Sequence, residues 1–262
     1  MTERRHEGII VALVNNKGGV GKTASAVALA AGLAGEGKRT LLVDLDAQGS
    51  AGLSLGLTRA DLTPGTAEVL LDGHPVRSAK RPTAVEGLDI LPGGMTLTSA
   101  DLVLADVAGR ETVLKAALDP VRRDYDFIVL DCPPALGLLV VNALVAASCF
   151  IVPVTADYLA LEGLVNLLDA VDRIRAGIGG DAVMLGIVLT MVDHRLNVTE
   201  EIGRMIRRHF GRAVFKTEIP VNVKLKEAPS FGRVIFDYAG GSSGAVAYAA
   251  LVQEVLHRIR QL

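Results

Sequence analysis

Short apolar runs rich in β-branched residues alternate along the chain with longer segments in which apolar positions return every three or four residues. The runs fall at Ile9–Val14, Thr40–Val43, Leu88–Leu91, Phe127–Leu130, Cys149–Val154, Val183–Leu189 and Val214–Lys216, and each predicts a strand. Helices are expected over Ala24–Ala34, Ala100–Leu118, Leu159–Ala176, Thr199–Phe210 and Ala245–Leu262. Strands separated by helices predict an α/β fold, a mostly parallel twisted sheet with helices on both faces. Gly- and Pro-rich loops are expected at Thr63–Gly65, Pro92–Gly94, Gly177–Gly180 and Gly240–Gly244. None reads as an interdomain linker and no repeat is present, so a single domain over residues 1–262 is expected.

Two features test a soluble reading. The run from Cys132 to Ala156 carries no charge over 25 residues, long enough to cross a bilayer. Pro133, Pro134, Gly137, Asn142, Ser148 and Pro153 interrupt it, and suit a loop, a short helix and a strand better than one span. Strands of a parallel sheet are covered on both faces and need such apolar runs. The last helix places Val252, Val255, Leu256, Ile259 and Leu262 on one side, which reads as a helix packed on the sheet. A membrane-targeting helix would carry more basic residues opposite large apolar or aromatic ones; only Arg258 and Arg260 qualify here.

Composition sharpens this picture. Half of the residues are apolar, which excludes intrinsic disorder. Ten aromatics, none of them Trp, are too few for a base-stacking platform of the single-strand-binding kind. Cys132 and Cys149 form no spaced metal motif, and Met1–Glu7 is polar with no apolar signal region, so a reducing cytoplasm is expected. The net charge of −2 hides a division: Arg195–Arg233 holds nine bases against four acids, a surplus of five, and the remainder carries −7. A local basic surface of this kind would hold duplex DNA by its phosphates without reading sequence, the alternative being a solvated basic helix face, above all at Arg207 and Arg208.

The first strand runs into Asn15-Asn16-Lys17-Gly18-Gly19-Val20-Gly21-Lys22-Thr23, and a helix follows. This is the strand, glycine loop and helix order of a phosphate-binding loop, with Asn16 where the common pattern has glycine. Backbone N–H groups converge on phosphate oxygens, Lys22 neutralises the β and γ phosphates, and the Thr23 hydroxyl can face Mg²⁺. Asp44 and Asp46 close the second strand and Asp131 the fourth, which brings carboxylates to the carboxyl edge of the sheet, where open α/β folds bind ligands.

Lys17, a second lysine inside the loop, taken with Leu42–Gly49 and Tyr125–Pro134, resembles the deviant Walker A ATPases, which include ParA-type partition proteins, MinD-type regulators and the nitrogenase iron protein. Similarity to ParA/Soj extends over nearly the whole chain, through Leu159–Leu164, Leu189–Arg195 and Asn222–Ser230. The chain departs from that pattern at Ala47, at Ala24-Ser25 and at Gly240–Gly244.

The resemblance implies an ATP-hydrolysing homodimer that sandwiches two ATP molecules with Mg²⁺, each Lys17 reaching across to the partner's nucleotide. It implies a nucleotide site of Lys17, Gly18, Gly19, Val20, Gly21, Lys22, Thr23 and Ala24, with the adenine near Met191 and Pro220. Lys17, Lys22 and Asp46 are the implied catalytic set, Asp46 acting on the attacking water; Thr23, Asp46 and Asp131 are the implied Mg²⁺ set. Asp44 stays open between the Mg²⁺ shell and structural hydrogen bonding. Arg195 and Lys224 match positions of a nonspecific double-stranded DNA surface. A ParB-like centromere-binding protein is the implied partner for slow intrinsic hydrolysis, with a cytoplasmic, nucleoid-associated location and no membrane. The alternatives are a MinD-like membrane-cycling or cargo-positioning ATPase, an iron-protein reductase, whose cluster ligands the two cysteines do not match, and a non-enzymatic nucleotide-binding scaffold.

Overall fold

The computed structural model describes residues 7–262; of the polar N-terminal stretch, residues 1–6 lie outside the described part. Its strands are β1 (Ile9–Leu13), β2 (Thr40–Asp44), β3 (Arg81–Pro82), β4 (Leu88–Leu91), β5 (Phe127–Asp131), β6 (Cys149–Thr155), β7 (Val183–Val192) and β8 (Val214–Pro220). They form one sheet in the order β3, β4, β2, β5, β1, β6, β7, β8, parallel throughout except where β3 meets β4. Every expected strand is present. β1 stops at Leu13, one residue short of the expected run. β2, β5 and β6 each run one residue further, because Asp44, Asp131 and Thr155 end the apolar pattern without ending the ladder, and β7 and β8 run three and four residues further, to Val192 and Pro220. The two-residue β3 is too short to leave a periodic signal.

Alternate residues of each strand face opposite layers. Ile10, Ala12, Leu41, Val43, Ile128 and Leu130 join one core with Leu139, Val140, Leu164, Leu167 and Ile206 of helices Leu138–Ala146, Ala160–Ile178 and Asn197–Phe210. Val11, Leu13, Leu42 and Val129 join the other with helices Lys22–Gly35 and Ser243–Ile259. Those two helices cross closely at Gly32, where a Cβ would lie 2.5 Å from Val252 Cγ2.

The charge-free run resolves into a loop, the helix Leu138–Ala146 and β6, and among the described residues no helix is long and apolar enough to cross a membrane. On the last helix Val252, Val255 and Leu256 are buried in the core, whereas Leu262 lies beyond the helix and is exposed. The single helix expected over Ala100–Leu118 is corrected. It divides into Ala100–Leu104 and Val113–Leu118, since Gly109 takes a positive φ of 72°. Buried Asn142 fixes the break, donating to Arg110 O and accepting from Leu114 N–H.

β1 lies where the strand order turns, the crevice in which doubly wound sheets bind ligands. At that edge Asp131 is in register with Leu13 on one side and with Asp44 on the other, so two carboxylates stand on neighbouring strands beside the exit of β1.

The free edge at β8 is closed by one side chain. Glu254 accepts from Lys216 N–H (2.9 Å), Thr217 N–H (3.0 Å) and Arg258, whose guanidinium also donates to Leu185, Ala213 and Val214 carbonyls and stacks on Phe215. Glu254→Ala removes the acceptor of the part-buried Thr217 amide and of a largely buried guanidinium, and is expected to cost about 1–3 kcal/mol in urea unfolding with an unchanged m-value. A cost below about 0.5 kcal/mol would contradict this role.

Candidate functional site

The loop after β1 is held from behind and open in front. Asn15, buried, donates to Pro153 O (2.7 Å) and accepts from Lys17 N–H (2.9 Å), while Thr190 donates to Val20 O (2.8 Å). Gly19 and Gly21 take positive φ of 74° and 81°, a conformation that favours glycine. A Cβ on Gly18 or Gly19 would meet nothing within 4 Å, so that side of the loop faces open space. Lys22 opens the following helix and is buried; its ammonium donates to Lys17 O (2.7 Å), and burial pulls its pKa down against the opposing pull of Asp131, Cys132 and Asp46. Ala24, on the next position, is exposed.

Asp44 and Asp131 are both fully buried but differ in their partners. Asp44 Oδ1 accepts Asp46 N–H (2.9 Å) and its Oδ2 accepts Ala51 N–H (3.0 Å). Burial, partly offset by these amides, pushes its pKa up to about 7. Neither oxygen of Asp131 receives a well-formed hydrogen bond. Burial, and after it the like charge of Asp44, raise the pKa of Asp131 well above its ordinary 3.8, and the nearby Thr23 hydroxyl and Lys22 only temper the rise. Asp46 is half-buried; one of its carboxylate oxygens accepts Gln48 N–H (3.0 Å).

A buried carboxylate that receives no well-formed hydrogen bond fits a hard cation, and Thr23 beside it adds a hydroxyl of the same oxygen chemistry. Among the described residues no group of three or more His, Cys, Asp or Glu is arranged to hold a metal, so such a cation would draw further ligands from outside the chain. The thiols of Cys132 and Cys149 are buried; burial pushes Cys149 up to about 12, and burial with the Asp131 charge also raises Cys132.

Lys17 is half-exposed and ion-paired with Asp157, which also accepts from Thr155 Oγ1 (2.6 Å). Burial raises Asp157, but these bonds outweigh it and leave the carboxyl below its usual range. No spacing in the sequence points to Asp157, Asn15 or Thr190, whose roles arise from the meeting of β1, β6 and β7. Met191, at φ 52°, reaches the phosphate loop: a Cβ on Gly21 would lie 3.8 Å from its Cε. Pro220 closes β8 in register with Val192, so both expected adenine neighbours stand at this edge.

Arg195 and Lys224 lie on the exits of β7 and β8, and neither is free. Arg195 makes a forked pair with Asp193 (2.8 and 2.7 Å), which holds the Asp193 carboxyl down at about 2, and Lys224 pairs with Glu227 (2.8 Å). Arg207, counted in the basic segment, is tied to Phe215 O and Glu218.

A family model described as an AAA domain matches residues 8–181. The chain is 42% identical over 251 residues to the chromosome partitioning protein ParA of Myxococcus xanthus, covering 96% of this chain and 89% of that protein. It is 46% identical to the chromosome-partitioning ATPase Soj of Thermus thermophilus, covering 96% of each. A crystal structure described as cobyrinic acid a,c-diamide synthase from Mycobacterium smegmatis, with bound ATP analogue and magnesium, superposes with a TM-score of 0.86 at 31% identity over 97% of this chain and 96% of that one.

The two buried carboxylates give the nucleotide-free chain a definite pH dependence. Their folded pKa values lie above the unfolded 3.8, so between those limits the folded state binds more protons and stability falls as pH rises. The melting temperature in EDTA is expected to decline from pH 5 to pH 8, and Asp131→Asn is expected to flatten that decline and raise the value at pH 8. An Asp131→Asn chain less stable than wild type at pH 8 in EDTA would contradict the uncompensated charge.

Proposed function

Since the chain belongs to the ParA/Soj family of chromosome-partitioning ATPases, we propose that it is an ATP-driven switch for DNA segregation. Two copies close on two ATP molecules, the closed dimer holds duplex DNA by its phosphates, and hydrolysis releases it. The observation that carries this reading is the sheet edge itself, where an open glycine loop, Lys22, Thr23, Asp46 and the poorly satisfied Asp131 converge.

The chain's groups divide the work. The N–H groups of Gly18–Thr23 and the Lys22 ammonium take the phosphates, Lys22 exchanging the Lys17 carbonyl for phosphate oxygens. Asp46, with one oxygen engaged by Gln48, directs the other at the attacking water and aligns it with the γ-phosphate. Thr23 and Asp131 would hold Mg²⁺, with Asp46 nearby, and the ion would supply charge neutralisation at the phosphates. Lys17 leaves Asp157 and adds its charge to the partner's phosphates, where negative charge spreads in phosphoryl transfer.

Dimerisation across this edge is supported by its surface. Met95, Leu136, Tyr158, Leu159, Leu196 and Val223 follow the carboxyl ends of parallel strands and are exposed, Tyr158 at 90%. Such a concentration of large apolar side chains beside an exposed lysine suits a second copy closing over the nucleotide. DNA as cargo is supported by the names of the relatives and by the basic surplus of Arg195–Arg233. Intrinsic turnover is slow and a ParB-like centromere-binding protein completes the hydrolytic geometry; the chain works in the cytoplasm, on the nucleoid. A membrane-cycling reading gains no support, because the apolar face of Ser243–Ile259 is already covered by the core.

Lys22→Ala is expected to lose ATP binding, whereas Asp46→Ala is expected to bind ATP and remain on plasmid DNA in co-sedimentation. Wild-type hydrolysis by Asp46→Ala, or ATP-dependent sedimentation with liposomes and not with DNA, would contradict the proposal. Replacing Arg195 and Lys224 by Ala is expected to weaken DNA binding equally across sequences and to reduce the log–log salt slope by about 1 for each phosphate contact removed. An unchanged slope would remove those two residues from the DNA surface.

A further inference from the structure

The two buried aspartates at the sheet edge are neighbours in register with opposite hydrogen-bonding states, and that contrast assigns them different work. We propose that Asp44 is a positioning residue for Asp46 and is not a ligand of the cation. The inference deepens the ATPase reading and rests on it.

Both oxygens of Asp44 are occupied by the chain. Asp46 N–H and Ala51 N–H mark the two ends of a short loop that folds around this carboxylate. Inside the loop Gln48 N–H binds the Asp46 carboxylate and Gly49 N–H binds Asp46 O (3.0 Å). Leu45 N–H binds Asp131 O (3.0 Å), which ties the start of the loop to the neighbouring strand. Asp46 is therefore set by Asp44 through its own amide, and its side chain is set by the turn that this amide begins.

The carboxylate of Asp44 is also enclosed from behind. A Cβ on Gly93 would lie 2.8 Å from Asp44 Oδ1 and 2.5 Å from Asp46 O, and Thr66 Oγ1 donates to Asp44 O (2.8 Å). The two amides fix the direction of both Asp44 oxygens, so turning the carboxylate toward a cation strains or breaks these bonds, and the Ala51 amide is buried where no other acceptor is shown. Asp131 has no such ties and needs no rearrangement of donors to face an ion. An acidic residue at a strand end beside a nucleotide loop reads from sequence as a cation ligand, yet each oxygen of this one is already held by a backbone amide of its own loop.

The test separates positioning from ligation by measuring Mg²⁺ dependence and hydrolysis apart. A fluorescent ATP analogue is titrated with Mg²⁺ for wild type, Asp44→Asn, Gly93→Ala and Asp131→Asn, and single-turnover hydrolysis is measured for the same chains, for Asp46→Ala and for Asp44→Asn/Asp46→Ala. Asp44→Asn keeps the shape but turns a donor toward one of the two amides; Gly93→Ala presses on the same loop and leaves every charge in place. Both are expected to keep the Mg²⁺ half-saturation within about twofold of wild type while hydrolysis falls at least tenfold. In the Asp46→Ala background Asp44→Asn is expected to cause no further loss, since it acts through Asp46.

A tenfold rise in Mg²⁺ half-saturation for Asp44→Asn, or losses that multiply in the double variant, would overturn the assignment. Should the variants fail to fold, amide exchange in the wild type decides. The Ala51 amide is expected to exchange no faster with MgATP than without it, and a tenfold acceleration would mean that Asp44 has let go. Asp131→Asn separates the two readings: if it leaves the Mg²⁺ requirement unchanged, the cation site proposed above fails, whereas the role of Asp44 is judged by its own variants.

Discussion

The structure turns on a carboxylate that its own chain does not satisfy. Asp131 ends a central strand, is fully buried, and receives no well-formed hydrogen bond, an arrangement that costs stability unless something else supplies positive charge. The surrounding groups do not remove the problem. Lys22 is near enough to temper it but directs its ammonium to the Lys17 carbonyl, and Asp44 worsens it as a like charge on the next strand. Proteins keep such arrangements at functional sites, where stability is given up for readiness to bind. An ATP phosphate group with its cation brings the missing charge, so the same residue that weakens the empty chain favours the loaded one.

The lysines of the loop stand in a comparable state. Each is engaged by a partner inside the chain, Lys22 by a carbonyl and Lys17 by Asp157, and each must exchange that partner for phosphate. A Cβ on Gly18 or Gly19 between them would meet only open space, so the loop leaves room for a polyanion before one arrives. Arg195 and Lys224 follow the same pattern at the edge expected to meet DNA, being paired with Asp193 and Glu227. Exposed pairs of this kind contribute roughly 0–1 kcal/mol, a small barrier beside the counterion release that drives phosphate binding.

Much of this was legible in the sequence, for physical reasons. Strands covered on both faces leave unbroken apolar runs, so every long strand could be read, and the phosphate loop could be read because its glycines, Lys22 and Thr23 lie together between a strand and a helix. What could not be read depends on contacts between distant segments. The break at Gly109 follows from Asn142 reaching across from another helix, and β3 exists only because β4 offers an edge. Asp44 and Asp131 look equivalent as residues, and their difference is decided by the amides of Asp46 and Ala51, which spacing along the chain does not reveal. The engagement of Lys17 by Asp157 is of the same kind, joining loops 140 residues apart.

The account therefore rests on Asp131 as the empty half of a cation site and on Asp44 as the filled one. Crystals grown with a non-hydrolysable ATP analogue and Mn²⁺ in place of Mg²⁺, examined by anomalous scattering, locate the ion directly. The expected result is a Mn²⁺ peak on the side of Asp131 and Thr23, with Asp44 still accepting the amides of Asp46 and Ala51. A peak coordinated by Asp44, or one that leaves Asp131 without any partner, would contradict the account.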